Sequence, residues 1–66
     1  MPTVHVELFP GRTQEQKTAC AKEIVRVISE QFSVPTEVTQ VIFCEIERNN
    51  WLRGGDLFPA TPKGER

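Results

Sequence analysis

The sequence predicts an α+β fold, a β-α-β unit with parallel strands and a short C-terminal hairpin, on three observations. Thr3 to Leu8 alternates, with Val4, Val6 and Leu8 on one face and Thr3, His5 and Glu7 on the other. A long stretch then repeats its apolar residues at three- and four-residue spacing. Finally, Val41, Ile42, Phe43, Cys44 and Ile46 are apolar almost without a break.

The first run reads as a half-buried strand. Phe9-Pro10-Gly11-Arg12 ends it with a Pro-Gly pair, and Thr13 followed by Gln16 forms a capping box for a helix beginning near Gln14. Cys20, Ala21, Ile24, Val25, Val27, Ile28 and Phe32 give that helix an apolar face over about five turns. Ser33-Val34-Pro35-Thr36 stops it, since proline has no amide proton and biases Val34 away from helix.

The second strand is expected from about Val38 to Ile46. Its continuous apolar character fits a parallel strand covered on both faces, yet one helix shields only one face of a two-stranded sheet. A partner subunit is expected on the other. Asn49 to Leu57 reads as a turn or short hairpin, and the residues from 58 to 66 as a tail that is poorly ordered or docked on a partner. The whole chain of 66 residues is read as one domain with its core at about residues 2 to 57.

A chain this short buries a small share of its surface, so support from a disulfide, a metal or oligomerisation is expected. Cys20 and Cys44 are too few for a disulfide scaffold and no leader precedes them, so both are read as free buried thiols. His5 is the single histidine and no metal-ligand spacing is present, which argues against a zinc site and against a histidine-activated nucleophile. The net charge of -1 and the interleaved charges mark no surface for nucleic acid, and no apolar run approaches the length of a membrane span. A cytoplasmic protein without cofactor or metal is expected.

Chemistry is sought first at Pro2. Removal of Met1 would leave it as a secondary amine whose ring fixes the lone pair at the start of a strand. An ordinary α-amino group has a pKa of roughly 7.7 to 8.0, and desolvation or a nearby cation lowers it into the range of a general base. If Met1 stays, Pro2 is an ordinary amide. Arg12, ahead of the helix N-terminus, can grip a carboxylate with its fork, or simply be solvated. Trp51 and Phe9 are large apolar residues in loop-like segments, suited either to a pocket wall or to the core. Gly54-Gly55 permits a tight turn, and Arg53 is a further possible anion contact.

Met1-Pro2, the early alternating strand, Pro10-Gly11-Arg12-Thr13-Gln14-Glu15-Gln16-Lys17, the second strand and Asn50-Trp51-Leu52-Arg53-Gly54-Gly55 together resemble the 4-oxalocrotonate tautomerase (2-hydroxymuconate tautomerase) family of the tautomerase superfamily, over about residues 2 to 57. The resemblance implies a cofactor-free isomerase assembled as a hexamer, a trimer of dimers, with four-stranded sheets built from pairs of subunits. It implies that Pro2 moves a proton between oxygen and carbon of an enol or dienol acid, that Arg12 of a neighbouring subunit binds the substrate carboxylate, and that Trp51 and Phe9 line the pocket.

One position departs from that pattern. Where studied members carry a second arginine early in strand two, this chain has Gln40. A neutral amide cannot neutralise charge, and losing such a stabiliser costs on the order of 10² to 10³ in rate. Arg53 is a candidate to restore that charge from a different direction. Two other functions fit the fold: hydration with dehalogenation, or decarboxylation, with Glu45, Glu47 or Asp56 as the carboxylate; and a non-catalytic oligomeric homologue.

Overall fold

The computed structural model describes residues 2–57. Strand β1 runs Thr3–Leu8, helix α1 Gln14–Phe32, strand β2 Gln40–Glu45, and strands β3 Leu52–Arg53 and β4 Asp56–Leu57 form the hairpin. Two 3₁₀ turns, Thr36–Val38 and Arg48–Asn50, flank β2. β1 and β2 pair in parallel with Thr3 opposite Gln40 and Leu8 opposite Glu45, and α1 is the crossover between them.

The helix is bounded as its sequence demands. Thr13 accepts from the Gln16 backbone N–H at 3.0 Å through its hydroxyl, and its own N–H donates to the Gln16 side chain at 2.9 Å, completing the capping box. At the other end Ser33 takes the left-handed conformation with φ 57°, and its N–H donates to the Ser29 carbonyl. Lys17, Ala21, Ile24, Val25, Ile28 and Ser29 are half-buried, the stripe expected of a helix lying on a sheet.

Alternation along the strands divides the sheet into two faces. Val4, Val6 and Leu8, with their partners Val41, Phe43 and Glu45, share the helix side. Thr3, His5 and Glu7, opposite Gln40, Ile42 and Cys44, occupy the face without a helix. Ile42 remains 42 % exposed there, and Phe9 is the one buried hydrophobic side chain among the described residues. The isolated chain therefore has little core of its own, and the open face is where a partner was expected.

Several expectations need correction. β2 begins at Gln40, because Val38 lies in a turn closed by bonds from the Val38 and Thr39 N–H groups to the Pro35 and Thr36 carbonyls, both 3.3 Å. It ends at Glu45, since β1 leaves the sheet after Leu8 and only the Ile46 N–H still reaches it, donating to the Leu8 carbonyl at 2.8 Å. The cysteines are both free, but Cys20 is exposed and Cys44 only half-buried, because Cys20 lies one step off the helix stripe that meets the sheet. Val27 and Phe32 also remain exposed, at 45 % and 62 %.

The hairpin is shorter than expected. It starts at Leu52, with Gly54 and Gly55 at φ 63° and 89° supplying the tight turn, and residues 48 to 50 before it form the 3₁₀ turn. The expected tail, residues 58–66, lies outside the described residues. Among the described residues no helix is long and apolar enough to cross a membrane.

Candidate active site

The candidate residues fall at two ends of the strand pair. At the first end, Pro2 is half-buried and its carbonyl accepts the backbone N–H of Gln40 at 3.0 Å. That bond extends the parallel ladder by one step, so Pro2 is fixed to the sheet. The side chain of Gln40 is exposed beside it.

At the second end, Phe9 follows directly on β1 and is 8 % exposed. Its ring centroid lies 4.6 Å from that of Trp51, tilted by 58°, a favoured aromatic geometry. Pro10 and Gly11 then carry the chain to Arg12, which is half-buried. Gly11 has φ 127°, a conformation that side chains rarely tolerate, so glycine is needed for this approach to the helix. Lys17 Nζ lies 2.8 Å from Glu45 Oε2, joining the first turns of α1 to the end of β2.

Arg48 belongs to this second cluster and was missed in the sequence reading. Its guanidinium carbon stands 3.9 Å from the Phe9 ring centroid, within cation–π range. The available signal was Arg-x-x-Trp across one turn, which is weak without the partner ring that follows β1. Arg53 is exposed on β3, paired with Asp56 of β4.

A six-residue strand rising ~3.3 Å per residue separates the two ends by roughly 20 Å. The structure thus brings Pro2 to Gln40 and Phe9 to Trp51, and it places the Arg12 loop at the far end of β1 from Pro2. Within one chain, the proline end and the arginine end do not meet. Among the described residues no group of three or more His, Cys, Asp or Glu side chains is placed to hold a metal.

The tautomerase enzyme family matches the chain over residues 2–61. This chain is a member of the tautomerase family. The assigned relationship is close to a probable tautomerase of Lactococcus lactis, 47 % identical over 57 residues, covering 86 % of this chain and 93 % of that protein. A chain solved in a structural and mechanistic study of trans-3-chloroacrylic acid dehalogenase activity is 33 % identical with a TM-score of 0.76, covering 88 % of this chain and 100 % of that one. A heterohexameric 4-oxalocrotonate tautomerase of Chloroflexus aurantiacus is 26 % identical with a TM-score of 0.77, covering 86 % and 92 %. The β-α-β unit with its antiparallel hairpin is thus the fold of 4-oxalocrotonate tautomerase homologues, and this family member shares it.

Proposed function

We propose that the chain is a subunit of a cofactor-free tautomerase that interconverts enol and keto forms of a small unsaturated 2-hydroxy acid. Pro2, freed by removal of Met1, is the general base: its nitrogen takes the enol proton and returns it to carbon, with no net change in atoms or charge. Arg12 of a neighbouring subunit binds the substrate carboxylate. Phe9 and Trp51 form the apolar wall, Gln40 donates a hydrogen bond near the reacting end, and exposed Arg53 adds positive charge at the rim.

The observation that carries this reading is the bond from the Gln40 N–H to the Pro2 carbonyl. It holds Pro2 at the edge of the sheet, where a processed amine would have a fixed direction. The roughly 20 Å between the proline and arginine ends favours a site completed between chains, and the open sheet face with Ile42 favours assembly through that face. We assign the assembly to a homohexamer.

A second reading is proline-dependent hydration with dehalogenation, favoured by the likeness to the chain studied for trans-3-chloroacrylic acid dehalogenase activity. It needs a carboxylate to orient water. Glu45 is engaged by Lys17, which leaves Glu47 and Asp56 as the other acids named for that role.

Intact mass measured together with ultraviolet ketonisation of 2-hydroxymuconate, for wild type and Pro2→Ala, tests the proposal. Loss of Met1 with turnover abolished in Pro2→Ala is expected. Turnover indifferent to Pro2, or none in the processed wild type, would overturn it.

A further inference from the structure

The helix-free face of the sheet carries one carboxylate, one imidazole and one thiol. Along β1 it presents Thr3, His5 and Glu7, all exposed, and along β2 Gln40, Ile42 and Cys44, with Ile42 opposite His5 and Cys44 opposite Glu7. His5, the single histidine of the chain, is the one side chain of this set able to become a cation. Glu7 enters none of the ion pairs formed among the described residues. Helix α1 packs on the other side of the sheet. Past the end of β1, Arg48 lies over Phe9, and a guanidinium keeps its charge across the neutral range.

We propose that His5 and Glu7 make this face a proton-dependent interface for a second copy of the chain, in which His5 takes up one proton as the face is covered and answers the charge of Glu7. The inference rests on assembly through this face, as in the reading above, and adds the groups that govern it. Covering the face removes Glu7 from water, and a carboxylate enclosed without a partner costs several kcal/mol. Residues two apart on a strand share a face and stand about 7 Å apart, within reach of each other's side chains. A second copy brings the same acid and the same imidazole, so the charges balance whichever copy supplies the partner. Imidazole is the side chain that ordinarily changes its charge between pH 5 and 8. The proton comes from solvent and adds to the free ring nitrogen.

A proton gained on association favours the assembly on the acid side and is withdrawn as the pH rises. The assembly should therefore tighten from pH 8 to pH 6. Sedimentation velocity over a dilution series at pH 6, 7 and 8 tests this on wild type, His5→Gln, Glu7→Gln and Ile42→Asp. In wild type the concentration at which the assembly half dissociates should be about tenfold lower at pH 6 than at pH 8. His5→Gln should lose that dependence. Glu7→Gln should reverse it, because an imidazolium enclosed without its acid is disfavoured.

A wild type indifferent to pH, or one that loosens toward pH 6, would overturn the proposal. So would a dependence that survives in His5→Gln, which would pass it to another group such as the processed Pro2 amine, or one unchanged in Glu7→Gln. Ile42→Asp separates the two readings. If it disperses the assembly while wild type is flat in pH, the His5 proton alone is disproved; if it leaves the assembly whole at every pH, the interface lies elsewhere and both readings fall. Mass is read throughout, so turnover does not enter.

Discussion

The backbone N–H of Gln40 donates to the carbonyl of Pro2 at 3.0 Å. Gln40 and the proposed base are therefore joined through main-chain atoms, and side-chain replacement at Gln40 leaves their spacing intact.

Gln40→Arg should accordingly raise kcat/KM for 2-hydroxymuconate. An added guanidinium beside the reacting end stabilises developing negative charge, a contribution worth up to 10²- to 10³-fold in other sites. A gain of about tenfold is expected. An ultraviolet assay of the two proteins checks it, and no gain would show that position 40 does not face the reacting atoms.

Lys17→Met should loosen the arginine end. The Lys17–Glu45 pair spans 2.8 Å with the two side chains 19 % and 36 % exposed, and it fastens the helix just after the Arg12 loop to the strand just before Arg48. Its partial exposure limits the effect to about 1 kcal/mol of stability. A urea midpoint shifted down accordingly, with KM raised several-fold and kcat little changed, is the expected pattern; a large fall in kcat alone would count against a purely positional role.

Ile42→Asp should break the assembly. Ile42 lies on the sheet face without a helix and is 42 % exposed in the single chain. A carboxylate enclosed there without a partner costs several kcal/mol on association. Light scattering should report a smaller species, with turnover lost if the site is completed between subunits. An assembly of unchanged mass would move the interface elsewhere.

Local signals in the sequence were enough for much of the fold. Alternation placed β1 at Thr3–Leu8, and Thr13 with Gln16 placed the start of α1, because both rest on neighbours within one turn or one strand. Pro35 marked where the helix stops but gave no sign of the 3₁₀ turn that delays β2 to Gln40. The Lys17–Glu45 pair joins residues far apart along the chain, and Arg48 needs Phe9, just past β1, to become distinctive. Cys20 looked apolar and helical, yet the stripe facing the sheet is narrower than the apolar arc of the sequence.

The distance between the two ends of the strand pair has a genetic consequence. If every pocket takes its proline from one chain and its arginine from another, a subunit damaged at Pro2 can still serve a neighbour through Arg12, and the reverse. Two alleles broken at opposite ends should then complement when expressed together, whereas two broken at the same end should not. A duplicated gene is correspondingly free to diverge into unequal partners, each keeping the end that the other has abandoned.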